Sequence, residues 1–160
     1  MNLNVEIDDL DKLTLRKIHE LTKTNISTIL LLQKLKLLPT LPTKIEQCRQ
    51  QNNHSWYLAE YNKSIDGYAF RCGQCLKIRS IRTDTFFKKS HLTLSTIFEL
   101  MYYWSREEDS LEKIMHELEI GSQTTVVDWK NFCRDICAEY YVNHPTSIGG
   151  IFSSLKKILL

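Results

Sequence analysis

The spacing of apolar side chains changes twice along this chain, and that change limits the possible folds more than any single motif does. From about residue 9 to 38 the spacing is helical. Leu10, Leu13, Ile18 and Leu21 suit one short helix; Ile26, Ile29, Leu30, Leu32 and Leu35 form a wide stripe on a second, with Asn25 as its cap. Pro39 and Pro42 close this block, since neither can continue a helix. Between about 44 and 90 the pattern becomes that of strands. Trp56 to Tyr61 and Tyr68 to Arg71 are rich in aromatics, and Asp66-Gly67 between them is a turn signal. Leu76 and Ile78 alternate with Lys77 and Arg79, which predicts one apolar and one cationic face. From about 92 to 144 the helical period returns. Leu94, Ile97, Phe98, Met101 and Trp104 share one helix; Asp109-Ser110-Leu111-Glu112 resembles the capping box of a helix running to about Ile120; a last helix runs from about Gln123 to Tyr141. The expected fold is α+β and mostly α: N-terminal helices (1–42), a small ribbon-like β insertion leaning on them (43–90), a helix-turn-helix bundle (91–145) and a tail (146–160).

The 160 residues are 42% hydrophobic, enough for the core of one medium domain or two small ones. Five glycines and three prolines exclude a collagen-like or low-complexity chain. No run approaches the roughly 18 apolar residues of a membrane span; Ile29 to Leu38 is interrupted by Gln33, Lys34 and Lys36. The first residues lack the basic and apolar blocks of a signal peptide, so an intracellular location is expected, without membrane partners. An odd number of cysteines, five, argues against a disulfide scaffold in that setting.

The net charge of +2 conceals an uneven distribution. Arg71 to His91 carries +5, Arg106 to Glu119 carries −4, and residues 1–21 carry −2. A basic segment of this kind suits a surface that meets phosphate, through Lys77, Arg79, Arg82, Lys88 and Lys89; a solvated strand pair is the alternative.

The helix ending near Ile120, the Gly121-Ser122 turn and the polar start of the next helix follow the helix-turn-helix pattern. Glycine suits the left-handed residue that stops the first helix, and serine caps the second. At 3.6 residues per turn, Val126, Trp129, Cys133, Ile136 and Tyr140 share one side of the last helix. Thr124, Val127, Asn131 and Arg134 lie roughly opposite, with Gln123 and Asp128 at the edges. Gln123, Thr124, Asn131 and Arg134 bear groups that bond base edges or phosphates in a major groove, although Asp128 repels phosphate. A helical bundle with a polar exterior fits the same wheel.

Cys72-Gly73-Gln74-Cys75 has the spacing of a zinc knuckle. A second knuckle would start at Cys48, but Gln51 stands at its partner position, leaving His54, at an unusual spacing, as a substitute ligand. Zinc on Cys48, Cys72, Cys75 and His54 is one expectation. A metal-free ribbon held by Trp56, Tyr57, Tyr68 and Phe70 is the other. Cys133 and Cys137, four apart on the last helix, read as small core residues. The five histidines are scattered and form no catalytic motif.

The run from Asp66 to Cys75, followed by Arg79 to Phe87 and Ser90, resembles the N-terminal region of Merlin-type transposases and related insertion-sequence transposases. The resemblance continues through Tyr102-Tyr103-Trp104, Thr125 to Trp129, Phe132 to Cys137 and Ile148-Gly149-Gly150, over about residues 25–150. It implies a zinc ribbon and a helix-turn-helix that bind terminal inverted repeats in double-stranded DNA, with a nuclear location in a eukaryote. In that family a catalytic domain with converging carboxylates follows; here no carboxylate occurs after Glu139. The chain is therefore expected to bind DNA without being an enzyme and without a small-molecule substrate. Pairing with a full-length transposase or another protein is the alternative.

Overall fold

The computed structural model describes residues 7–49, 53–107 and 110–145. The fold is α+β and mostly α, as the periodicity predicts. A 3-10 turn (Ile7–Lys12) leads to α1 (Leu15–Leu21) and α2 (Asn25–Lys34). A sheet follows, of β1 (Trp56–Glu60), β2 (Tyr68–Cys72) and β3 (Ile78–Arg79), and then α3 (Leu94–Arg106), α4 (Leu111–Glu117) and α5 (Gln123–Asn143). The chain forms two compact units, dividing after Arg106. The helix α3, expected with the helix-turn-helix, thus belongs to the unit that holds the ribbon. The tail 146–160, with its Ile148-Gly149-Gly150 motif, lies outside the described residues.

In the first unit α3 packs on both α1 and α2. Ile18, Ile29, Leu31, Leu32, Leu94, Ile97 and Leu100 are almost wholly buried there. The cap of α2 is Thr24, one residue before the expected Asn25. The Thr24 hydroxyl accepts from Ser27 N at 3.2 Å and the Ser27 hydroxyl accepts from Thr24 N at 3.0 Å, a reciprocal box that satisfies two otherwise orphan donors. At the other end Lys36 adopts a φ of 60°, and Leu37 N bonds the Leu32 carbonyl at 2.9 Å, closing the helix as a Schellman motif before Pro39. On α3 the buried face is Leu94, Ile97, Phe98, Leu100 and Tyr103; Met101 and Trp104, expected there, are half-buried.

The sheet is antiparallel with order β1-β2-β3, pairing Trp56 with Cys72, Leu58 with Phe70, and Phe70 with Arg79. β3 is only two residues long, so the alternation expected from Leu76 to Arg79 is realised only at Ile78, 40% exposed, and Arg79, half-buried; Leu76, 56% exposed, and Lys77, half-buried, precede the strand. Both cations turn to the carboxylate of Glu46.

One buried ion pair ties the sheet to the helices. Arg82 donates to Asp66 through Nε and Nη2, each at 2.6 Å, and to the carbonyls of Ser90 and Leu92 at 3.1 and 2.8 Å. Asp66 in turn accepts from Leu94 N, at the start of α3, at 3.1 Å. A bidentate fork whose polar atoms are well paired is the geometry that lets a buried pair persist. Gly67, beside Asp66, has a φ of 70°, and a Cβ there would lie 3.3 Å from Asn25 Nδ2. The turn signal at Asp66-Gly67 thus marks both the tight connection and the carboxylate that anchors it.

In the second unit α5 packs on α4 through Val126, Trp129 and Cys133, with Ile114 buried opposite. Ser122 caps α5, as expected; α4 is capped by Ser110, whose hydroxyl accepts from Lys113 N, one residue later than a box from Asp109 to Glu112 implies. The left-handed residue between the helices is Glu119, with a φ of 53°, not Gly121. Ile120 N bonds the Met115 carbonyl at 3.0 Å and Glu119 N bonds that of His116 at 3.3 Å, again a Schellman closure. Replacing Arg82 with alanine strands the Asp66 carboxylate in the interior. Chemical denaturation should show a loss of about 3–5 kcal/mol, larger than the loss in the Asp66→Ala/Arg82→Ala double variant.

Candidate metal centre

Three pieces of backbone converge at one end of the sheet. Cys72 is the last residue of β2, and Cys75 lies in the turn that leads to β3. His54 precedes β1, and Cys48 lies in the segment before it. The turn is fixed by its own backbone: Leu76, with a φ of 59°, donates to the Cys72 carbonyl at 3.0 Å, and Cys72 N bonds the Lys77 carbonyl at 2.9 Å. Gly73 N bonds the Ser55 carbonyl at 2.9 Å, holding the turn against the residues just before β1. Cys48 is brought in by the Glu46 clamp, in which Arg79 Nη2 lies 2.6 Å from Glu46 Oε2 and Lys77 pairs with the same oxygen.

One donor atom from each of Cys48, His54, Cys72 and Cys75 lies within 4.8 Å of all the others. Bonds of about 2.0–2.3 Å around a tetrahedral ion set donors about 3.8 Å apart, so the widest pair closes by about 1 Å. Cys48 and Cys72 are buried; His54 and Cys75 are half-buried. The fourth position of the set is thus His54, the unusual spacing notwithstanding. His54 Nδ1 lies 3.4 Å from Cys75 Sγ, while Nε2 is buried without a hydrogen-bond partner among the described residues. The ring rests on Trp56 with centroids 4.5 Å apart.

The thiols show what this packing asks for. Burial pushes Cys72 up, but the backbone N–H of Cys75, the His54 ring and the backbone N–H of Gln74 outweigh it and bring it down to about 6. A thiolate, the metal-binding form, is therefore favoured there near neutral pH. At Cys75 a backbone N–H from Lys77 pulls downward, yet burial and the sulfurs of Cys72 and Cys48 win and raise it. Neighbouring sulfurs resist sharing negative charge, and a cation at their centre removes that conflict. Three sulfurs and an imidazole form a complete donor set, and these four residues can hold a metal ion.

The other expected site residues occupy different places. Lys77 and Arg79 are engaged by Glu46, and Arg82 is 7% exposed in its pair with Asp66. Lys88 and Lys89 are exposed, with Lys88 3.6 Å from Asp84. In the second unit Gln123, Thr124 and Arg134 are exposed and Asn131 is half-buried. Of the two cysteines on α5, Cys133 is core, its thiol raised to about 11 by burial and by Cys137, whereas Cys137 itself is exposed. Ile136 and Tyr140, expected on the buried side of α5, are 46% and 58% exposed, because α4 is too short to reach them. Sequence reasoning missed Glu46 and the burial of Asp66; the signal for the first was an acid two residues before Cys48, opposite a strand bearing two cations. No family model, curated protein or solved structure matches the chain.

Glu46 is held at about 2 against an ordinary 4.5, chiefly by hydrogen bonds from Arg79 and Lys77. A depressed carboxylate stabilises the fold when ionised, so its contribution is full above pH 4.5 and is lost as the pH falls toward 2. Thermal melts of the wild type and Glu46→Gln across that window should show wild type the more stable near pH 6, with the difference shrinking steadily on acidification.

Proposed function

We propose that this protein is a zinc-stabilised DNA-binding module resembling the front part of a transposase. The observation that carries the reading is the α4–turn–α5 unit. Its second helix buries Val126, Trp129 and Cys133 while leaving Gln123, Thr124 and Arg134 exposed. Both helices are capped by serine, and the turn between them is closed by backbone bonds, so the exposed face is held on rigid elements. Such a face presents amide, hydroxyl and guanidinium groups to a major groove, with Asn131 on its flank. The double-stranded DNA bound would be a transposon's terminal inverted repeat, reached in the nucleus of a eukaryotic host. The role is binding, and no cleavage or strand transfer is assigned to these residues.

Zinc is the metal proposed for Cys48, His54, Cys72 and Cys75. Thiolate and imidazole donors in a tetrahedral set suit it, and a closed site of this type contributes folding energy directly. The aromatic alternative has little support: of Trp56, Tyr57, Tyr68 and Phe70 only Phe70 is fully buried, and Tyr57 is 48% exposed.

A second reading is favoured by one observation. Ile136, Tyr140, Tyr141 and Val142 are exposed along the C-terminal half of α5, which suits a protein partner such as a full-length transposase. Selection of bound sites from a random duplex pool, using zinc-loaded protein at two salt concentrations, separates the two. DNA binding predicts an enriched site, and Asn131→Ala should cost about 1–3 kcal/mol on that site and little on others. No enrichment at either salt concentration would overturn the DNA reading in favour of the protein partner.

A further inference from the structure

A cavity of about 450 Å³ opens in the first unit beside the Asp66–Arg82 pair, apart from the cysteine cluster. This volume is in the range of small-ligand pockets. Asp66 and Arg82 are among its lining residues, and their fork is electrically neutral and buried. The cavity wall also carries Lys63, Lys88 and Lys89. All three are exposed, and among the described residues Lys88 has an acidic neighbour within 4 Å, Asp84 at 3.6 Å, while no ion pair is seen for Lys63 or Lys89. The cavity is thus lined by surplus positive charge, with Tyr61, Tyr68 and Ser80 adding hydroxyl groups. Lys89 holds a φ of 65°, a strained setting for a residue with a side chain. Lysines that line one concavity focus the field on an anion more strongly than the same charges spread over a convex surface.

We infer that this cavity is a phosphate-binding site, with Lys63, Lys88 and Lys89 as its cations. Lys63 comes from the β1–β2 connection and the other two from the segment before α3, so the site exists only in the folded unit. The source of the phosphate, a DNA backbone, rests on the proposed function; the chemistry of the site does not. The inference also explains how a segment whose Lys77, Arg79 and Arg82 are engaged by carboxylates still meets phosphate: the contact is carried by residues 88 and 89 together with Lys63, which lies outside the basic run.

The test uses the full zinc-loaded chain and a Lys63→Gln/Lys89→Gln variant, whose substitutions are at exposed positions and should leave the melting curve unchanged. Binding of a fluorescein-labelled duplex of mixed sequence is followed by anisotropy over a range of salt, and binding of inorganic pyrophosphate by calorimetry. The expected result is that the variant binds every duplex severalfold more weakly, with a salt slope lower by about two, one per lost contact. Pyrophosphate should bind the wild type and not the variant. If pyrophosphate behaves so while no duplex binds either protein, the site stands with a small phosphate ester as its ligand, and the DNA reading fails. Equal duplex affinity and slope in the two proteins, with pyrophosphate binding both alike or neither, would overturn the site while leaving DNA binding intact. Absence of both pyrophosphate and duplex binding to the wild type would overturn it as well.

Discussion

Asp66 accepts three hydrogen bonds in the interior of the first unit, two from the Arg82 guanidinium and one from the first amide of α3. Few side chains join so many separate parts of a fold. The carboxylate belongs to the β1–β2 connection, the guanidinium to the segment after β3, and the amide to a helix. Arg82 extends the link to the carbonyls of Ser90 and Leu92. A charge taken out of water is tolerated when its polar atoms are well paired, and here the guanidinium makes four hydrogen bonds and the carboxylate accepts three. A three-stranded sheet whose last strand is two residues long has little core of its own. The fork supplies the attachment to α3 that such a sheet lacks, and its two residues are also among those lining the lysine-bearing cavity.

The opposite end of β2 is organised by a different chemistry. Two residues before the strand is Asp66; its last residue is Cys72. At that end three thiols and one imidazole lie within 4.8 Å of one another, an arrangement that could hold a metal ion. The Glu46 clamp belongs to the same end, for it joins the segment bearing Cys48 to β3. The small sheet thus has a buried ion pair at one end and, at the other, a cysteine–histidine cluster that could hold a metal ion. Its basic residues divide accordingly. Lys77, Arg79 and Arg82 neutralise carboxylates within the fold, and Lys88 and Lys89 remain at the surface.

Much of this was legible in the chain. The change of period places the helices and strands in their right order and locates β1, β2 and the start of α5 to within a residue, because each pattern is imposed by burial on one face; the outer bounds of the β block are set too wide. The two-residue spacing of Cys72 and Cys75 marks the turn that positions them. Other features depend on partners distant in sequence. Nothing local distinguishes Arg82, buried against Asp66, from Lys89, exposed at the surface. The ion pairs of Lys77 and Arg79 are made with Glu46, more than thirty residues away, so alternation alone does not reveal which face of this segment turns inward. Ile136 and Tyr140 continue the apolar stripe of α5 past the end of its partner helix, where periodicity carries no information about what is there to cover them.

The sheet is fastened at one end by the Asp66–Arg82 fork and, on the proposal above, at the other by a metal on Cys48, His54, Cys72 and Cys75. Amide hydrogen exchange on the full chain, zinc-loaded and after chelation, tests this fastening most directly. The account predicts that chelation speeds exchange most at Cys72, Gly73 and Leu76, whose amides brace the cysteine turn, and least at Tyr61, Gly67 and Leu94, near the Asp66 anchor. Exchange that is unchanged by chelation, or that rises equally at both ends, would contradict it.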